Sequence, residues 1–279
     1  MLPRKSLSLE SVMGLILGLV VSYSGAMIIM GLLASRLEKL SSSAEAVVGV
    51  IVGSVAFHGA ILLGTAVVLR AERLRWAEVF GFQATSVSRA VGAGLGVGAV
   101  ATVGAIAFQR LIISVMEAFK HVPQVQTVVK TVESANGLGQ KVCFGVVMIL
   151  AAPLAEEIFF RGILYPGIRN SIPWLGRLLT ELYVVPRAAG WRARRLAAWL
   201  YWASHGQRGR ANAAKISATF VSLTFAASHG NLLALAPLFL LALVLTGLYE
   251  RTGNLLAPIT AHSFFNAANF AFILFGSDG

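Results

Sequence analysis

Two adjacent glutamates, Glu156 and Glu157, lie inside the apolar run 144–164 (FGVVMILAAPLAEEIFFRGIL), and Arg161 follows four residues after the second. Ionisable groups in sequence apolar enough to enter a bilayer are costly, so each needs a partner or a task. Residues four apart share a helix face, which lets Glu157 pair with Arg161, while Glu156, turned by about 100°, faces elsewhere. The two carboxylates thus separate into a structural member, Glu157, and a free member, Glu156, suited to taking a proton from water as a general base. The competing reading is a buried structural ion pair with the second carboxylate reaching for the membrane interface.

Two further polar groupings occur at helical spacing in apolar sequence: Phe225 with His229, and His262 with Asn266. His262 and Asn266 share a helix face and can both present N–H donors toward one point, as stabilising a tetrahedral oxyanion requires. A His and Asn pair in a membrane helix also serves as interhelical hydrogen-bonding glue. His229 stands beside Gly230 and Asn231, where a helix should end. Measured along the helices from the expected cytoplasmic ends, Glu156 lies roughly 15 Å deep, His229 roughly 20 Å, His262 roughly 10 Å and Asn266 roughly 16 Å, so all four can meet in one cavity. His58, His121 and His205 lack such company and are read as interfacial or loop residues.

The elements that must position these groups are membrane helices. Hydrophobic residues make up 57% of the chain and charged residues 13%, about half the roughly 25% charged residues of soluble domains. No charged residue occurs between Glu10 and Arg36, between Glu45 and Arg70, or between Arg89 and Arg110, and each gap approaches or exceeds the roughly 20 residues that cross a bilayer. A fourth span carries the carboxylates. The uncharged stretch 216–249 is too long for one helix and divides at His229-Gly230-Asn231, and a last span starts after Asn254 and runs to about Phe275. The expectation is an all-α polytopic transmembrane bundle of about seven spans. Residues 1–140 would supply N-terminal transmembrane helices and 141–279 a catalytic membrane core, interrupted by a basic insertion at about 169–215. The first apolar run is longer than a secretory h-region and leads into further spans, so it reads as a retained helix.

The formal net charge of +11 is chiefly a topology signal. Arg4 and Lys5, then Arg70, Arg73, Arg75 and Arg89, then the segment from Arg169 to Lys215 fall on one side, which the positive-inside rule makes cytoplasmic. No nucleic-acid-binding motif accompanies the charge. The insertion mixes Trp174, Trp191, Trp199, Tyr201 and Trp202 with Arg177, Arg187, Arg192, Arg194 and Arg195, which suits an amphipathic segment at an anionic cytoplasmic leaflet, or a plain basic loop. The small residues of Val91 to Ala105 (VGAGLGVGAVATVGA) predict a closely packed helix interface. The single cysteine, Cys143, allows no intramolecular disulfide and is assigned no role.

Taken in order, E-E-x-x-x-R (Glu156, Glu157, Arg161), F-x-x-x-H (Phe225, His229) and H-x-x-x-N (His262, Asn266) resemble the CAAX protease and bacteriocin-processing family, as does the surrounding text APLAEEIFFRGILY and LYERTGNLLAPITAHSFFN. The resemblance runs from about Lys141 to Phe275. It implies a glutamate-dependent intramembrane endopeptidase like the type 2 CAAX prenyl proteases, with a water held by Glu156 and His229 and an oxyanion site formed by His262 and Asn266. Glu157 and Arg161 would brace the helix that presents Glu156, and Phe225 would pack beside the site. The implied partner is a peptide or lipidated-protein substrate, with anionic lipids around the protein, and no cofactor. The long Trp-rich insertion between the first two motifs departs from the family, which connects them more briefly.

Other readings of the same residues remain open at this point. Glu156, His229 and His262 could form a two-histidine, one-carboxylate zinc site, although the chain has no H-E-x-x-H helix. A non-proteolytic scaffold or bacteriocin-immunity factor could use the cavity for binding. A transporter could relay protons through it, but no pseudo-symmetric halves are evident. The substrate and the oligomeric state do not follow from the sequence.

Overall fold

The computed structural model describes residues 6–37, 41–120, 127–133, 135, 137–184, 190–192, 194–195, 198 and 206–275. His121, His205, Arg187, Trp199, Tyr201, Trp202, Arg4 and Lys5 lie outside the described residues. The described residues are mostly helical, with short turns between the helices and no strand among them.

The first helix, α1 (Leu9–Leu37), is followed by α2 (Ser42–Ser54) and α3 (Ala60–Ala71), which a π-helical turn at Val55–Gly59 joins into one rod. After the short α4 (Trp76–Phe80) come α5 (Val87–Ala118) and α6 (Thr127–Glu133). The next rod is built from α7 (Leu138–Val146), a π-turn at Val147–Ala151, α8 (Ala152–Glu157), a second π-turn at Ile158–Leu164, and α9 (Tyr165–Val184). The chain closes with α10 (Gly206–Ala227), α11 (Leu232–Thr252) and α12 (Leu256–Phe275).

Five stretches are long and apolar enough to cross a membrane: Leu9–Leu37, Ala44–Ala71, Val87–Ala118, Leu138–Gly176 and Leu232–Thr252. Helices α10 and α12 have 22 and 20 residues, enough for a crossing at 1.5 Å per residue. Their polar content, Arg208 to Lys215 in α10 and Thr260, His262, Asn266 and Asn269 in α12, lowers their hydropathy. With them the set is compatible with about seven spans, and the protein is an all-α polytopic membrane bundle.

Helix α12 packs along α5 because the contacting face of α5 is nearly bare. Ala90, Gly94, Gly98 and Thr102 recur every fourth residue and are all buried. A Cβ on Gly94 would stand 2.6 Å from both the Ala257 carbonyl oxygen and the Thr260 Cβ, and one on Gly98 would stand 2.9 Å from the Ala261 carbonyl oxygen. Such approach is how membrane helices gain van der Waals contact when no hydrophobic force separates them from lipid. The small-residue run expected to form a tight interface does so.

The start of α12 is pinned by polar groups. Asn254, fully buried, accepts from the Leu256 amide at 2.9 Å and reaches the Phe82 and Thr85 carbonyls at 3.4 Å, and the Leu255 amide donates to the Phe80 carbonyl at 3.0 Å. The start of α12, and with it His262, is thereby tied to the α4–α5 connection. At the same end of the bundle Glu250 accepts from Tyr165 at 2.6 Å and from Arg169, joining α9 to α11. The turn between α10 and α11 falls where the sequence divides: Gly230 has φ +62°, and the Asn231 side chain caps α11 by accepting from the Ala234 amide at 3.0 Å.

Helix α1 is held at its start by a carboxylate from another span. Glu72, just past α3, accepts from the Ser8 hydroxyl at 2.9 Å, the Ser8 amide at 3.3 Å and the Ser11 hydroxyl at 2.5 Å, placing a negative charge at the positive end of the α1 dipole. Burial pushes the Glu72 carboxyl up, but the hydrogen bonds from Ser11 and Ser8 outweigh it and hold the group below its ordinary 4.5.

Two outcomes are expected. Gly94→Val, which forces a side chain into the Ala257 carbonyl, should destabilise the protein by about 1–3 kcal/mol as an overpacking change, read as a lowered melting temperature in detergent or nanodiscs. Because the folded-state pKa of Glu72 is depressed, its contribution is present above the unfolded-state value and is lost as pH falls through the folded one. Melting temperature should therefore decline below about pH 4.5, and Glu72→Gln should flatten that part of the profile.

Candidate active site

The sequence-predicted residues come from three parts of the bundle. Glu156 and Glu157 end α8, Arg161 lies in the π-turn that follows, Phe225 and His229 stand at the end of α10, and His262 and Asn266 are on α12. The carboxylate of Glu157 is the point at which the first and third groups meet. Its Oε1 accepts from Arg161 Nη1 at 2.7 Å and from His262 Nδ1 at 2.8 Å, and Glu157 and Arg161 are fully buried.

Arg161 extends the cluster to two more helices. Its Nη2 donates to the Ala242 carbonyl of α11 at 3.2 Å, and its guanidinium lies over the Phe225 ring, 4.6 Å from the centroid. Phe225 in turn packs against His229 and His262, with ring centroids 4.9 and 5.7 Å apart. An Arg face over an aromatic ring is attracted by the ring quadrupole, the more so when neither is hydrated. The phenyl ring is therefore a spacer that fixes a guanidinium and two imidazoles relative to one another.

Glu156 is turned away from this pair, as the helical register requires, and it is mostly buried. Its Oε2 lies 3.9 Å from His262 Nε2 and its Oε1 lies 3.5 Å from His58 Nε2. The Nδ1–H that His262 gives to Glu157 orients its ring so that the opposite nitrogen faces Glu156. One imidazole thus stands between two carboxylates that are adjacent in sequence.

His229 is exposed, in the turn after α10, and its Nδ1 is 2.9 Å from the Phe225 carbonyl. A carbonyl only accepts, so Nδ1 carries the proton and a neutral ring keeps its Nε2 lone pair free, the form that can accept a proton. Asn266 is half-buried and its Nδ2 donates to the Met148 carbonyl at 2.8 Å, within the Val147–Ala151 π-turn. An amide nitrogen has two hydrogens, so this contact fixes the amide plane and leaves a second donor. Among the described residues no three His, Cys, Asp or Glu side chains meet in a geometry that could hold a metal ion.

One residue that sequence reasoning set aside belongs to this neighbourhood. His58 was read as interfacial, yet it sits inside the Val55–Gly59 π-turn of the α2–α3 rod, against Glu156, with its Nδ1 3.0 Å from the Ser54 hydroxyl. Spacing could not reveal the contact with Glu156, because nearly a hundred residues separate the two. The available signal was local: an ionisable side chain in an uncharged span, with a hydroxyl one turn before it.

Fold and site together define a helical integral membrane protein whose spans enclose a cluster of carboxylate, guanidinium and imidazole groups. Residues 138–268 match the family described as Rce1-like, type II CAAX prenyl endopeptidase Rce1-like. That segment, just under half of the chain, includes Glu156, Glu157, Arg161, Phe225, His229, His262 and Asn266, and through it the chain is similar to the CAAX prenyl endopeptidases. No curated protein and no solved structure matches the chain.

Arg161→Ala should expose how much rests on the buried pair. Removing the guanidinium leaves Glu157 charged and withdrawn from water, a change that costs on the order of 3–5 kcal/mol. The expected result is a large drop in melting temperature, whereas Arg161→Lys should recover only part of it, since an ammonium cannot span Glu157, Ala242 and Phe225 together.

Proposed function

We propose that the protein is an intramembrane endopeptidase in which Glu156 activates a water for attack on a peptide bond. The observation that carries this reading is the meeting of Glu156 with His262 deep in the bundle, beside a Glu157 carboxylate already engaged by Arg161 and by His262 Nδ1. Glu156 is then the carboxylate left to exchange a proton.

In the proposed reaction Glu156 and His229 hold the water between them. Glu156 takes one proton, the water oxygen bonds to the scissile carbonyl carbon, and the carbonyl oxygen becomes an oxyanion. The second N–H of Asn266 donates to that oxyanion, and His262 joins it through Nε2 when both of its ring nitrogens carry hydrogen. The tetrahedral species collapses with cleavage of the C–N bond, and the proton held by Glu156 passes to the departing amine, restoring the carboxylate. Preorganised donors aimed at the developing charge are effective here because the surroundings are apolar. Glu157, Arg161 and Phe225 support the geometry without exchanging protons.

The substrate proposed is a membrane-associated peptide cut near a lipidated carboxy terminus, in keeping with the family description. The basic ends of the helices are assigned to the cytoplasmic side of the cell membrane. In the insertion, Arg192 and Arg195 lie 5.6 and 5.5 Å from the exposed Trp191 ring, a pairing suited to an anionic lipid surface.

The reading is tested by comparing new peptide termini, by mass spectrometry, in membranes expressing wild type or Glu156→Ala at matched levels. Termini found only with wild type support proteolysis and nominate substrates. Identical sets of termini sink the protease reading and favour a binding function for the same cluster. With a nominated peptide, Asn266→Ala should lower the rate by roughly 10²–10³ through loss of an oxyanion donor, and activity should survive exhaustive chelation.

A further inference from the structure

We propose that His58 is a positioning residue for Glu156, holding one oxygen of its carboxylate through Nε2–H while Ser54 sets the ring's tautomer. The proposal deepens the reading of Glu156 as the proton-exchanging group and rests on it. His58 lies outside the segment that matches the family, so it adds to the site a group drawn from the N-terminal half of the chain.

The hydrogen-bonding inventory favours one arrangement. Ser54 Oγ is 3.0 Å from His58 Nδ1, and Glu156 Oε1 is 3.5 Å from His58 Nε2. A carboxylate only accepts, so the contact with Glu156 is attractive when Nε2 bears hydrogen. A neutral ring then has its lone pair on Nδ1, and the Ser54 hydroxyl, which can donate, satisfies it. The opposite tautomer would aim a lone pair at a carboxylate. At 3.5 Å the Glu156 contact is long for a hydrogen bond, as such contacts often are before substrate closes a site.

The backbone is shaped for this placement. Val55–Gly59 is a π-turn between two regular helices, and turns of this kind are frequent at functional sites because they change the direction in which later side chains leave the helix. The Phe57 ring meets the imidazole edge-on at 5.4 Å between centroids. Glu156 is thereby approached from two spans: His58 reaches Oε1, and His262 of α12 faces Oε2 at 3.9 Å. The remaining charged or titratable groups around it are Glu157, Arg161 and His229. Arg161 is engaged with Glu157 and His229 with the Phe225 carbonyl, so Oε1 has His58 as its own donor.

Nitrogen-15 NMR of histidine-labelled full-length protein in lipid nanodiscs tests the placement, with the His58 signals identified by their loss in His58→Gln. The expected result is the Nε2–H tautomer in wild type, a changed His58 spectrum in Glu156→Gln, and a mixture of tautomers in Ser54→Ala. A His58 spectrum indifferent to Glu156→Gln overturns the proposal, whatever the protein's activity turns out to be. On a peptide nominated by the terminus comparison, His58→Phe should lower kcat by on the order of 10² with KM unchanged, the scale of a misplaced reacting group. His58→Gln, whose amide can still donate, should recover at least tenfold of that loss. Equal kcat for the Phe and Gln variants would leave only a packing role and refute the assignment. Absence of cleavage by wild type would instead count against the protease reading, and the spectra would still decide His58.

Discussion

Arg161 and Glu157 are both fully withdrawn from solvent, and each ion loses hydration there at a cost of several kcal/mol. Coulomb attraction between the two offsets part of that cost, but only if neighbouring groups also contact the two ions. This condition draws in the rest of the structure. The Ala242 carbonyl, the Phe225 face and the His262 imidazole are supplied by α11, α10 and α12, so the ions are stable only when these three helices are assembled around the π-turn that carries Arg161. A cluster of this kind adds little net stability compared with apolar packing, but it penalises every arrangement of the helices in which one partner is missing.

The same requirement gives the two neighbouring glutamates different surroundings. Adjacent residues on a helix leave it in different directions, so Glu157 faces the guanidinium while Glu156 faces histidines. Had the second carboxylate also met a guanidinium, the bundle would lack the proton-exchanging group that the proposed reaction needs. The close α5–α12 contact and the Asn254 cap serve this arrangement from a distance, because they fix where α12 starts and how near it lies. Both determine whether His262 stands within reach of two carboxylates or of neither.

The helical membrane class, the division between α10 and α11, the Glu157–Arg161 pair and the α5 interface could all be read from the sequence. Each of these follows from local rules: charge-free length, a His-Gly-Asn interruption, four-residue spacing and a run of small residues. What could not be read were contacts made across the bundle. Nothing near His262 announces that Glu157 accepts its Nδ1–H, and nothing near His58 announces Glu156, because both depend on how distant spans cross. The three π-turns were equally hidden, since their residues, such as VAFHG and VMILA, read as ordinary apolar helix.

Those π-turns make the spans sensitive to length as well as to composition. A π-turn holds more residues per turn than the α-helix on either side, so each one acts as a phase shifter between two otherwise regular rods. Deleting a single apolar residue from 55–59, 147–151 or 158–164 would leave hydropathy almost untouched, yet would rotate one rod segment against the next by about 100°. Single-residue insertions and deletions should therefore be far less tolerated at these three places than conservative apolar exchanges. In this bundle the number of residues between polar groups is itself a specification of the site.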